Sequence, residues 1–296
     1  MKRYVTFFIT LCMVATMQLH SSDQQQKQPA KPLTLGQSIV VGGVVGAAEV
    51  AFPGQPLSYA MNVAIKNAQL PQVQRERFVF SHSYKGFAAN ALGQMPITAM
   101  QKAVQSKGTQ WAEKEKGSAL SDWQKAGVSY AAGVAGAVID TPSNAVQLYL
   151  QDKANAGQNT AQALRTLGGK SFRGFAPNAF LKEGPFVVGY QMLAQKGAQV
   201  AQKYVGDNLA AVALGGAAAG VVTAVATHPG AVMRNKMQND PDKKTYTSSW
   251  QTAKKVCVDE GVKGLFNGLK ERGTRVAIAV PLYVAYTTLL EAQMKK

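Results

Sequence analysis

The chain has 296 residues, with 32 Lys and Arg against 16 Asp and Glu, a formal charge of +16. That excess is extreme for an ordinary soluble enzyme and calls for an anionic partner: nucleic acid, acidic lipid or a negatively charged solute. Cys12 and Cys257 lie far apart without CxxC spacing and support neither a disulfide framework nor a metal site; with no Walker loop, nucleophile triad or metal-ligand cluster in the sequence, no catalytic residue, metal or cofactor is expected.

Lys2-Arg3 precede an apolar stretch, Tyr4 to Met17, too short for an ordinary span and similar to the hydrophobic part of a signal segment. Gln24 to Pro32 is a polar linker that cannot bury enough apolar area to fold, so the folded unit is expected to begin near Leu35. Mean hydropathy is −0.09, and the best charge-free window of about 20 residues is Asn208 to Thr227. Leu35 to Ala48, Ala126 to Ile139 and Val276 to Leu290 are shorter apolar runs with polar neighbours. Helices that line a watery cavity need only one lipid-facing side, so semi-polar spans suit a transporter better than a simple anchor.

From Leu35 the chain repeats three times. Pro56, Pro142 and Pro229 stand 86 and 87 residues apart, each after a stretch rich in Gly and Ala. Gly43 and Ala47, Ser129 and Gly133, and Gly216 and Gly220 precede these prolines at one common offset. Four-residue spacing places each small pair on one helix face and lets backbones approach closely. A second anchor follows each proline: Tyr84-Lys85-Gly86-Phe87, Phe172-Arg173-Gly174-Phe175 and Phe266-Asn267-Gly268-Leu269, with the extra residues of the third unit in the polar stretch Asn239 to Thr245. Each unit therefore reads as a proline-bearing helix, a polar connection with a short helix, and a second helix that starts at an aromatic-basic-glycine turn. The proline removes a backbone hydrogen bond and kinks its helix.

Pro229 to Gln238, with Arg234, Lys236 and Gln238 at the two basic places and the glutamine place, resembles the signature of the mitochondrial carrier family, although Ala231 replaces the acid. Pro142 to Gln147 with Gln151 and Pro56 to Met61 fit the same pattern more loosely, and Glu260-Gly261 resembles the family's acidic-glycine turn. The resemblance implies an all-α membrane protein: three tandem repeats of two transmembrane helices each, forming a six-helix bundle around a central cavity. Its boundaries are residues 1–34 for the apolar segment and linker, 35–116 for repeat 1, 117–204 for repeat 2 and 205–296 for repeat 3.

In that family an acid of one repeat pairs with a base of the next to close the matrix end. The equivalent pairs here are Ser58 with Gln147, Asn144 with Arg234 and Ala231 with Met61, flanked by Gln151 and Gln238, and none is an ion pair. The even-helix gate maps onto Ser106 with Thr109, Ala194 with Gly197 and Thr287 with Leu290, also without ion pairs. Hydrogen bonds and close packing are expected in their place. The three turns resemble the family's cardiolipin clamps, with Gly86, Gly174 and Gly268 supplying backbone amides and Lys85 and Arg173 adding charge.

The family's substrate positions map onto Gly93, Leu181 with Lys182, and Arg275. Arg275 carries the most information, because a charge inside an apolar segment faces a pathway by default, the alternative being that Arg272 and Arg275 reach lipid phosphates. Lys182 can instead pair with Glu183. A guanidinium pairs bidentately with phosphate, which makes a nucleotide such as ADP or ATP the first expected solute, with Tyr190 and Tyr283 as stacking candidates. Another anionic solute such as a carboxylate, an amino acid, and a carrier-fold scaffold without transport are the alternatives. Glu49, Asp140 and His228 read as groups that couple proton movement or bind a cationic part of a substrate, or, for Asp140 and His228, as caps for amides freed by the proline kinks, with capping ahead for Asp140. The resemblance implies a monomer in the inner mitochondrial membrane that binds acidic lipid and no nucleic acid. Residues 1–20 depart from family habit and point to a bacterially encoded carrier acting in host mitochondria.

Overall fold

A computed structural model describes residues 54–68, 70–152, 155, 157–206 and 209–279, together with the isolated helical positions 36 and 40. The described secondary structure is entirely helical. Residues 1–20, Gly43, Ala47, Glu49, Tyr283, Thr287 and Leu290 lie outside the described residues, as does the side chain of Tyr190.

Repeat 1 contributes α1 (Gln55–Asn67), a 3-10 turn at Gln72–Gln74, the single turn α2 (Phe80–Ser83), and α3 (Phe87–Lys116). Repeat 2 has α4 (Asp122–Gln151), α5 (Thr160–Leu167) and a helical run at 175–205. In that run π segments at Pro177–Glu183 and Gly189–Leu193 alternate with α6 (Gly184–Val188) and α7 (Ala194–Val205). Repeat 3 has α8 (Leu209–Gln238), α9 (Ser249–Glu260), a 3-10 turn at Val262–Phe266, and α10 at 269–279.

Local chemistry sets the boundaries. Ser121 and Asn159 open α4 and α5 with reciprocal capping boxes to Gln124 and Gln162, satisfying amide donors that the first turn leaves free. Gly117 ends α3 in the left-handed region at φ 69°, its N–H donating to the Glu113 carbonyl. Pro56 sits in the first turn of α1, whereas Pro142 and Pro229 lie inside 30-residue helices.

The even helix of one repeat packs antiparallel on the odd helix of the next, and the two described crossings repeat each other. Along α3 and α4 the close points are Gly93 with Ser143, Gln101 with Gly136, and Gly108 with Val128. Along 175–205 and α8 they are Leu181 with Gly230, Gly189 with Thr223, and Gly197 with Gly215. Shifting the first set by the repeat length lands on the second to within one or two residues, and every point carries a glycine on one side or the other. At Gly197 and Gly215 both residues are glycine, and a Cβ on Gly215 would stand 2.2 Å from the Ala198 nitrogen. Gly133 meets the Glu183 carbonyl and Gly184, as the small-residue pattern predicts, and Gly216 and Gly220 are buried.

Helices α3, α4 and α8 have 30 residues each. At about 1.5 Å per residue each is longer than the roughly 30 Å hydrocarbon core of a bilayer. Among the described residues, however, only Ala213–Gln238 is both long and apolar enough to cross a membrane by itself, so the sixfold expectation is not met on hydropathy. The reason lies in the inner faces, where glutamines, asparagines and ion pairs take the places that lipid would require to be apolar. Trp111 near the end of α3, Trp123 in the first turn of α4 and Tyr204 in the last turn of α7 stand strongly exposed.

Candidate functional site: a polar layer with a cationic sector

The three turn glycines all adopt positive φ: 74° at Gly86, 74° at Gly174 and 82° at Gly268. Each lies directly against the odd helix of the following repeat. A Cβ on Gly86 would be 2.9 Å from Gln147 Cα, one on Gly174 3.0 Å from Arg234 Cα, and one on Gly268 3.0 Å from Met61 Cγ. Gln147, Arg234 and Met61 are the residues five past Pro142, Pro229 and Pro56, the places where the family resemblance leads one to expect the gate bases. Repeat 1 thus touches repeat 2, repeat 2 touches repeat 3, and repeat 3 returns to repeat 1.

A polar layer lies above this ring, built from the residue four past each turn glycine: Asn90, Asn178 and Arg272. Asn90 Nδ2 donates to Gln55 Oε1 at 2.8 Å, and Gln147 Nε2 donates to the same oxygen at 3.1 Å, while Gln55 Nε2 donates to the Lys85 carbonyl at 3.2 Å. Asn178 Nδ2 donates to Thr141 Oγ1 at 2.8 Å, and Arg234 Nη1 donates to Asn178 Oδ1 at 3.3 Å. Arg272 Nη2 donates to Thr227 Oγ1 at 2.6 Å. Its next-repeat neighbour in the pattern is Met61, which offers no polar atom, and Arg272 Nη1 is left buried and unpartnered, with its guanidinium 5.8 Å from the Phe186 ring centroid. The third sector closes on apolar contact between Met61, Ile65 and Val232 instead.

The expected gate pairs are therefore redistributed. Gln147 pairs with Gln55 rather than Ser58, and Ser58 Oγ accepts from Arg275 Nη1 at 2.8 Å. Asn144 Nδ2 turns back to Asp140 Oδ1 at 2.6 Å. Asp140, one helical turn earlier, supplies the acid that Asn144 lacks: its Oδ2 lies 3.5 Å from Arg234 Nη1 and 3.0 Å from Lys182 Nζ, and accepts from Asn178 Nδ2 at 2.9 Å. The sequence assignment of Asp140 to capping kink amides is corrected, because its oxygens are taken by side chains of three helices. His228 likewise does not cap the kink; its Nε2 lies 2.9 Å from the Asn267 carbonyl, beside the Phe266 ring. Gln151 accepts from Asn62 and Gln238 donates to the Thr141 carbonyl, so both glutamines brace one repeat against another.

Among the substrate candidates, Lys182 pairs with both Asp140 and Glu183. Arg272 interacts electrostatically with Glu183, Arg234, Arg275 and Asp140, which joins the charges into one cluster. It holds four cations, Lys182, Arg234, Arg272 and Arg275, against two carboxylates, Asp140 and Glu183, a surplus of two positive charges. Sequence reasoning selected Lys182 and Arg275 but not Asn178, and left Arg272 to lipid; the common offset from the turn glycines would have found both. Leu181 remains exposed, and Gly93 packs against Ser143.

Of the residues expected to meet lipid phosphate, Arg173 is buried, and its guanidinium donates to the carbonyls of Thr247, Asp240 and Tyr246. It fastens the loop after α8 to the turn before 175–205 instead of facing outward. Glu260, the acid of the Glu-Gly turn, takes Lys236 Nζ at 2.8 Å and Asn267 Nδ2 at 2.6 Å, both within a buried contact.

Three like units, each sealed onto the next around a charged polar layer, define a tripartite helical carrier. Residues 206–296 match the mitochondrial carrier protein family. The chain is 32% identical over 157 residues to the tricarboxylate transporter ALT9 of Alternaria alternata, covering 50% of this chain and 72% of that protein. It is 26% identical over 249 residues to mitochondrial substrate carrier family protein S of Dictyostelium discoideum, covering 77% and 87%. A shorter match, 39% over 66 residues, is to a calcium-binding mitochondrial carrier protein of the same organism and covers 8% of that protein. The chain belongs to the mitochondrial carrier family, whose members transport solutes rather than catalyse reactions.

Proposed function

We propose that the protein exchanges a small multivalent carboxylate, of the tricarboxylate or dicarboxylate class, by alternating access across the inner mitochondrial membrane. The observation that carries this reading is the cationic surplus of two in the inner layer, drawn from three helices and including a guanidinium with an unpartnered nitrogen. Carboxylates satisfy guanidinium and ammonium donors directly. A relative that shares 32% identity over 157 residues is by name a tricarboxylate transporter, which puts carboxylate ahead of the nucleotide expected from Arg275 alone. Six spans, three from each helix parity, and acidic lipid at the backbone amides after Gly86, Gly174 and Gly268 complete the proposal.

The test is exchange in proteoliposomes loaded with citrate, malate, ADP or a neutral amino acid. Citrate or malate uptake that needs an internal counter-anion supports the reading; selective ADP uptake restores the nucleotide assignment. Inserted protein that moves none of the four favours a carrier-fold scaffold. Delivery of a bacterially encoded chain to host mitochondria rests on the signal-like residues 1–20 alone, and retention in a bacterial envelope on fractionation would overturn it.

A further inference from the structure

Asp140 breaks the threefold pattern in a way that points to a role. It stands two residues before Pro142; the equivalent places are Gly54 and Thr227, neither of them charged. One carboxylate has thus been added to a single sector of the ring, and that sector holds Lys182 and Arg234. Asp140 Oδ2 lies 3.0 Å from Lys182 Nζ, 3.5 Å from Arg234 Nη1 and 2.9 Å from Asn178 Nδ2, while Oδ1 receives Asn144 Nδ2 at 2.6 Å. Of these four donors Asn144 comes from α4, Asn178 and Lys182 from the 175–205 run and Arg234 from α8, so every wall of the sector contributes. This is the coordination that a solute carboxylate would need there, and it is already occupied.

We propose that Asp140 is the resident anion of the transport site: a tethered carboxylate that fills the Lys182–Arg234 subsite when no solute is bound and that an entering solute carboxylate displaces. The proposal rests on the anion-carrier reading above and adds to it the residue that sets solute affinity. Glu183 answers only one of the two cations, through its pair with Lys182, so without Asp140 the empty subsite would hold a buried, uncompensated positive charge at Arg234, which is costly. A tethered carboxylate supplies it and also competes with the solute, which weakens binding and lets the solute leave again. Arg272 and Arg275 lie in the same cluster and would receive the remaining solute carboxylates.

The experiment measures thermal stability of purified protein in detergent, with and without citrate or acetate, for wild type, Asp140→Asn and Asp140→Ala. Expected results are a lower midpoint for both variants without anion, and a citrate-induced rise at least about twice the wild-type rise at a citrate concentration near the wild-type Kd, since stabilisation grows as the logarithm of ligand concentration over Kd. Acetate should stabilise Asp140→Ala and leave wild type unmoved, because it replaces the missing carboxylate in the vacated space. A lower midpoint with the citrate increment unchanged and no acetate rescue overturns the proposal and leaves Asp140 a structural brace. The outcomes also separate the two readings. Acetate rescue of Asp140→Ala with no citrate response in any protein retains the resident anion and rejects the tricarboxylate. A wild-type citrate response that neither variant exceeds does the reverse.

Discussion

A glycine held at positive φ against another helix's backbone cannot accept a side chain cheaply, and Gly174 shows both reasons at once. At φ 74° an alanine costs about 1–2 kcal/mol in backbone strain and its Cβ meets Arg234 Cα at 3.0 Å. Gly117 has φ 69° with nothing within 4 Å, so it isolates the strain. Gly174→Ala is expected to lower the melting midpoint in detergent clearly more than Gly117→Ala, the difference measuring the inter-repeat contact. Equal shifts would remove Gly174 from the ring. Arg275 donates to Ser58 across 217 positions of sequence. Arg275→Ala should abolish citrate exchange in proteoliposomes while insertion persists, and Arg275→Lys should restore part of it, since the charge remains and the forked geometry does not. Wild-type uptake by the alanine variant would remove Arg275 from the solute path.

At the scale of elements, the helix crossings and the loop after α8 give separate expectations. Gly197 and Gly215 approach backbone to backbone, so no flexible side chain can move aside, and Gly215→Leu should prevent the run at 175–205 from seating on α8. Retained exchange and an unchanged midpoint would argue against that seam. In the loop, burial by itself raises the pKa of Asp240, but the amides of Tyr246, Thr245 and Lys244 and the Arg173 guanidinium hold it below the ordinary carboxylate value. A depressed folded pKa contributes stability above the unfolded pKa and loses it as pH falls through the folded one. Asp240→Asn should therefore speed tryptic cleavage at the already exposed Lys243 and Lys244 at neutral pH, and equal cleavage rates for variant and wild type would remove Asp240 as the brace of this loop. Much of this level was legible in the sequence. The prolines, turn glycines and small-residue pairs gave the three repeats, because backbone geometry demands those residue types wherever it recurs. The gate was not legible, because Asp140 had moved one turn from the expected place and a motif read by position cannot follow a carboxylate along its helix. Arg173 was misread for a related reason: its sequence neighbours resemble a lipid turn, while its acceptors lie 67 to 74 residues away.

For the whole molecule, antiparallel crossings place the turn at 117–121 opposite the loops after α4 and α8. Single cysteines at Ser118 and Lys243 should react with impermeant reagent from opposite sides of oriented vesicles, and labelling from the same side would overturn the six-span arrangement. The ring of turn glycines also has a temporal meaning. Gly86 meets Gln147 after 61 residues and Gly174 meets Arg234 after 60, but Gly268 meets Met61 across 207. By loop-closure entropy alone that last contact costs about 1 kcal/mol more than the others, and it cannot form until the third repeat has been synthesised. At this joint the glycine contact closes on methionine, isoleucine and valine, with Arg275 to Ser58 and Asn235 to Asn62 as the flanking hydrogen bonds. The two short-range contacts can therefore form before the long-range one that closes the ring. A chain cut before Gly268 would keep the first two glycine contacts and lack the third, leaving Met61 and Ile65 without the piece that covers them.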